Sequence, residues 1–148
     1  MQVFPSILNK LSVFSDIATI IGLLLTVYIF VTLRNIKNLY LFKARMPEQL
    51  EKLNKHISDI NKYYSDFEGS YEIIEVELAK SEVLLEWFRN RIKGVSNKTD
   101  IKNLLTKISN IRSNNIKGQK NRVWEVYVNM SKLSEALESY RKDQKWER

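Results

Sequence analysis

Apolar and polar positions fall into three regimes along the chain. The first is residues 17–33 (IATIIGLLLTVYIFVTL), a run with no charge in a chain of which 28% is charged. Eleven of these seventeen residues are Ile, Leu, Val or Phe. A helix of that length rises about 26 Å at 1.5 Å per residue. Extension back to Ser12 gives about 33 Å, and the two values bracket a hydrocarbon core of about 30 Å. At roughly −0.3 to −0.6 kcal/mol per large apolar residue, insertion is favoured by about 3–7 kcal/mol. The pattern predicts a transmembrane helix over 12–33 after a short extracytoplasmic N-terminus, 1–11. A soluble helix apolar on every face needs more protein around it than 148 residues provide. A cleaved signal has a shorter apolar core and a small-residue cleavage site, whereas this run meets Arg34-Asn35-Ile36-Lys37.

The second regime, 34–46, mixes Ile36, Leu39, Tyr40 and Phe42 with Arg34, Lys37, Lys43 and Arg45. It reads as an amphipathic neck able to lie at lipid headgroups, or as a plain helical linker. The third regime is a cytoplasmic helical bundle over 47–146. Pro47 suits the first turn of a new helix, with Glu48 and Glu51 near its positive end. Leu50, Leu53, Ile57, Ile60, Tyr64 and Phe67 follow at heptad spacing. The seam runs on through Tyr71, Ile74 and Leu78, skips at Ser81, and resumes at Leu85, Phe88 and Ile92. Either one rod fits this pattern, or a hairpin broken at Gly69-Ser70 with Gly as a C-terminal cap and Ser as an N-cap. The equal arms favour the hairpin.

Beyond Gly94, a helix capped by Asn97 or Thr99 carries Ile101, Leu104, Leu105, Ile108 and Ile111 on one face to about Ser113. A loop, 113–119, leads to a last helix from about Asn121 to Asp143. Its stripe is Val123, Val126, Tyr127, Met130, Leu133, Leu137 and Tyr140. The expected fold is all-α: one N-terminal transmembrane helix, then an antiparallel bundle of about four helices.

Composition narrows the chemistry. There are no cysteines, one histidine, four glycines and two prolines. Disulfide and thiol chemistry are excluded, and no phosphate-cradling glycine loop, HExxH or nucleophile triad is present. His56 sits beside the seam, Glu72, Glu75 and Glu82 have solvated-face spacing, and Trp87, Trp124 and Trp146 read as core or interface anchors. No enzyme, metal or cofactor is expected.

Charge is segregated. Net charge is +4 over 34–62, −6 over 63–88, +9 over 89–122 and zero over 123–148. Before the apolar run stands one basic residue, Lys10, against seven over 34–62. The positive-inside rule therefore puts the C-terminal body in the cytoplasm of an inner (plasma) membrane protein. The basic block holds Arg89, Arg91, Lys93, Lys98, Lys102, Lys107, Arg112, Lys117, Lys120 and Arg122. It either pairs with the acidic arm, at about 0–1 kcal/mol per exposed pair, or binds an anion: nucleic acid, a nucleotide signal, acidic lipid or an acidic protein. Few aromatic residues lie within the block, so stacking on bases has little local support. In the span, Asp16 stands at the edge, as a headgroup-level carboxylate or an intramembrane acid. Gly22 and Thr26, four apart, are candidate helix–helix contacts.

The apolar run, the neck and the bundle together resemble, in layout, small single-span bacterial antiphage membrane effectors, such as the membrane-pore accessory protein of RNA-targeting CRISPR systems. That group has one N-terminal helix, a degenerate HEPN-like bundle and a ring-shaped membrane assembly. Arg89-Asn90 and Arg112-Ser113-Asn114 are similar to remnants of an Arg-Asn motif; the family's histidine has no counterpart, and no catalytic role carries over. The expectation is a protein in the bilayer that forms a homo-oligomer through its helical domain, with Leu50 to Phe67 as oligomer or hairpin seam. It would be a pore-forming or membrane-disrupting effector. The alternative is a non-enzymatic tether binding nucleic acid, a nucleotide signal or a protein through 89–122.

Overall fold

The computed structural model describes the backbone of residues 4–92 and 95–143, and the side chains of 16–92 and 97–143. Lys93, Trp146 and the first three residues of the expected N-terminal segment lie outside the described residues. Among those described, every regular element is helical: α1 (Phe4–Tyr64), α2 (Phe67–Arg89), α3 (Val95–Ser113) and α4 (Lys120–Asp143), with a single 3₁₀ turn at Ile116–Gly118. The chain divides into two compact units, Met1–Phe42 and Lys43–Arg148.

In the first unit α1 holds the apolar run, and the helix is long and apolar enough to cross a membrane. Its large apolar side chains from Ile17 to Leu33 are all exposed. Two threonine hydroxyls within the run are satisfied in the helix itself: Thr26 Oγ1 donates to Gly22 O and Thr32 Oγ1 to Tyr28 O, both at 2.8 Å. That is the arrangement a medium without hydrogen-bonding partners demands.

The second unit corrects three expected boundaries. Pro47 does not begin a helix; α1 runs through it. An interior proline removes one hydrogen bond and crowds the preceding turn, at about 3 kcal/mol. Met46 and Leu50, on either side of it, are both buried, so core packing holds the helix together across the proline. The hairpin break comes at Ser65-Asp66 instead of Gly69-Ser70. Phe67 and Ser70 are already buried, so the inward face of α2 starts there. Gly69 lies inside α2 and is no C-cap; a Cβ on it would lie 2.6 Å from the exposed Asp66 carboxylate, which would have to turn aside. Finally, α3 starts at Val95, ahead of the Asn97 or Thr99 cap; no Pro or Gly interrupts the segment that follows.

The core is the sum of the apolar stripes. Leu50, Leu53, Ile57, Ile60 and Phe67 are buried with Ile74, Leu78, Leu85, Phe88 and Ile92, and Tyr64 is half-buried. Ser81, where the heptad skips, is fully buried and returns its hydroxyl to Glu77 O at 2.8 Å. The α3 and α4 stripes are buried too, with Tyr127 and Tyr140 half-buried. Polar ties join successive arms. His56 Nδ1 meets Glu77 Oε2 at 2.5 Å between α1 and α2, and Arg112 of α3 pairs with Glu82 of α2. Lys107 of α3 meets Glu125 of α4 at 2.5 Å, and Ser134 of α4 donates to Asn54 of α1 at 2.6 Å. The four contacts form a closed circuit around the core.

Candidate functional site

The basic block divides once folded. Arg112 is engaged by Glu82, Lys107 by Glu125, and Arg89 by Glu86 at 3.4 Å. Arg91 lies over the Trp87 ring, 4.8 Å from its centroid. Part of the charge is thus spent within the unit, but of these pairs only Arg112–Glu82 joins the acidic segment to the basic one across the bundle, while Lys107 pairs outside the acidic segment and Arg89 within its own helix. Lys98 and Lys102 are exposed on α3 and have no ion-pair partner among the described residues. Arg122 donates to Gln119 Oε1 at 3.2 Å.

Lys117 and Lys120 take a different role. The Ile116–Gly118 turn packs against α2, and this puts Lys117 Nζ 4.6 Å from the centroid of the Tyr71 ring. Lys120, opening α4, stands 5.2 Å from that of Tyr64, the last residue of α1. Trp124, one turn on, lies between two tyrosines, at 5.1 Å from Tyr64 and stacked at 4.9 Å on Tyr127. Tyr64 also meets Phe67 edge-on at 6.1 Å. Rings from α1, α2 and α4 therefore converge on a basic loop whose own sequence holds none. Trp124 stays 43% exposed.

The loop is held firmly. Ile116 is buried beneath it. The Gln119 side-chain amide donates to three carbonyls, Ile111 at 3.1 Å, Asn114 at 2.9 Å and Asn115 at 3.1 Å. Asn115 takes a positive φ of 56° and its side chain accepts from Lys117 N. Asparagine tolerates that left-handed conformation better than most residues. The arrangement offers ammonium groups from the loop and the start of α4 beside the part-open indole of α4, suited to a ligand that is planar in one part and anionic in another.

Two other features bear on function. On α2, outside the core, Ile73, Val76 and Val83 are exposed, Val83 by 70%. With Lys80 and half-buried Trp87 they occupy the outward face at 3,4,3,4 spacing. The Leu50-to-Phe67 seam, by contrast, faces the unit's own core. Between α1 and α2, ligand atoms of His56, Asp59 and Glu77 lie within 4.8 Å of one another. Glu77 is a buried carboxylate; burial pushes its pKa up, but hydrogen bonds from Lys80 (2.7 Å) and His56 outweigh this and hold it below the usual carboxylate range. Neither the His56 pairing nor the aromatic convergence is legible as a motif, since each joins separate helices. In the span, Asp16 is exposed, Gly22 has open space where a side chain would stand, and Thr26 bonds to Gly22.

No protein-family model, curated protein or solved structure matches the chain.

Proposed function

We propose that the chain is a single-pass membrane protein whose helical bundle stands in the cytoplasm and self-associates. By gathering spans it acts on the bilayer as a pore-forming or membrane-disrupting defence effector. The observation that carries this reading is the outward stripe of Ile73, Val76 and Val83 on α2. The seam is consumed in folding, and this second stripe is left for a neighbour. Copies anchored in one membrane meet at high effective concentration, so a small apolar contact suffices. Charge favours a head-to-tail contact: exposed Glu68 and Glu72 stand at the start of α2, exposed Lys98 and Lys102 at the start of α3. The Ile116–Gly118 turn just after α3 packs on α2 with Lys117 over Tyr71, so the end of α3, and not its start, lies by the start of α2. A head-to-tail contact closes into a ring where its rotation allows. The defence role is supported by the layout shared with single-span antiphage effectors.

The test is particle mass of the full chain in mild detergent, together with membrane potential during expression. A multimer that dissipates the potential, and a Val76→Glu/Val83→Glu variant that does neither, is the expected result. A monomer in both would sink the reading. The tether reading keeps one specific support, the convergence of rings on the basic loop.

A further inference from the structure

We infer that the end of the helical unit built from Tyr64, Tyr71, Lys117, Lys120, Arg122 and Trp124 is a binding site for single-stranded nucleic acid. The inference deepens the tether reading by naming a ligand class, and moves the contact from the whole segment 89–122 to one end of it. It does not depend on self-association.

Three observations converge. Trp124 is flanked by the rings of Tyr64 and Tyr127 at 5.1 and 4.9 Å, and with 43% of its surface open it can still be met by a further ring at its uncovered edge. Lys117 and Lys120 are set against the neighbouring rings at 4.6 and 5.2 Å, which places positive charge beside aromatic faces. The loop that carries Lys117 and leads into Lys120 at the start of α4 is pinned by the Gln119 amide and buried Ile116, so little order has to be gained on binding. Rings for bases and cations for phosphates are the two components of single-strand recognition.

The class follows from exclusion as well. The stretch 113–122 has Lys117, Lys120 and Arg122 and no acidic residue, yet exposed Asp66, Glu68 and Glu72 stand at the start of α2 nearby. Phosphate attraction alone is therefore partly cancelled at this end, and an acidic peptide gains little there. A ligand with a planar ring gains from Trp124 in addition. A duplex keeps its base faces covered by neighbouring bases, so an unpaired strand is the form that can reach an indole.

The test uses the full chain in nanodiscs of zwitterionic lipid, with fluorescence anisotropy of labelled mixed-sequence single-stranded RNA and DNA oligonucleotides. Duplex of the same sequence and polyglutamate serve as competitors, and particle mass is recorded on the same sample. Single strands are expected to bind, with log Kd changing by about 2 per tenfold change in salt, for three phosphates neutralised. Trp124→Ala is expected to weaken binding about tenfold or more. Lys117→Glu/Lys120→Glu should weaken it at least as much, with circular dichroism unchanged. Lys98→Glu/Lys102→Glu makes the same charge change near the start of α3 and should leave most of the affinity. The inference is overturned if no oligonucleotide binds, if polyglutamate or duplex competes as well as single strand, or if the Lys98/Lys102 variant loses as much as the Lys117/Lys120 variant. Binding by a monomer upholds this inference and sinks self-association, and a multimer that binds nothing does the reverse.

Discussion

His56 Nδ1 lies 2.5 Å from Glu77 Oε2, joining two helical arms at positions 21 residues apart. The same carboxylate receives Lys80 on its other oxygen at 2.7 Å. A buried acid is costly unless its oxygens are occupied, and here both are. The lone histidine of the chain is thus a structural partner of a buried carboxylate.

That relationship sets an acid sensitivity. Glu77 titrates below the usual carboxylate range in the folded unit. Its contribution is present above the unfolded carboxylate pKa and is lost as pH falls through the lower, folded one. Thermal melts across acidic pH should show a steep fall in that window. Glu77→Gln should lower stability at neutral pH by about 1–3 kcal/mol and flatten the acid slope. An unchanged slope in the variant would assign the sensitivity to other carboxylates.

Pro47 is tolerated by packing, not favoured by it. Replacing it with alanine returns a backbone N–H to the helix and removes the ring's crowding of the preceding turn. Pro47→Ala should raise the melting temperature of the detergent-solubilised chain, by a stabilisation of up to about 3 kcal/mol. A variant that melts lower would show that the proline is needed for the local path of α1.

The two stripes on the hairpin should respond oppositely to substitution. Leu53→Ala or Ile60→Ala opens a cavity at a site with no exposure and should cost about 2–5 kcal/mol. Val83→Glu, on the outward face of α2, should change unfolding by no more than about 0.5 kcal/mol while reducing particle mass in detergent. Denaturation curves and light scattering on the same samples separate the effects. A Val83 variant of unchanged mass would remove the α2 stripe from consideration as a contact between copies.

The apolar run can be tested for insertion directly. Leu24→Arg puts a charge at its centre, where the transfer penalty is about 2.5–3.5 kcal/mol, comparable to the whole favourable sum. The variant should shift from the carbonate-resistant membrane fraction to the soluble or aggregated fraction. Protease added to intact spheroplasts should leave the C-terminal unit uncut, and added to inverted vesicles should remove it. Cleavage from the outer side would reverse the orientation read from the flanking charges.

Much of the helical layout was legible in the sequence, because it rests on periodicity. The charge-free run announces one helix, whose large apolar side chains stay exposed, while the heptad residues Leu50 to Ile92 and the stripes of α3 and α4 announce inward faces, and burial follows those faces. The breaks were less legible. Pro47, Gly69 and Asn97 are strong local signals; the first two were overridden by neighbours that gain more from core contact than the local preference costs, and α3 starts two residues ahead of Asn97.

The candidate site was hardly legible at all. By itself the sequence determined a helical chain with one apolar helix long enough to cross a membrane, a segregated charge pattern, and no catalytic motif. It also left the basic stretch without aromatic company. Only the tertiary structure brought Tyr64, Tyr71 and Trp124 to Lys117 and Lys120, because hairpin closure at Ser65-Asp66 sets the end of α1 and the start of α2 beside the loop before α4. The same closure turned the heptad seam inward and left Ile73, Val76 and Val83 outside. Periodicity records which face of one helix is apolar, whereas which faces meet depends on where the chain reverses.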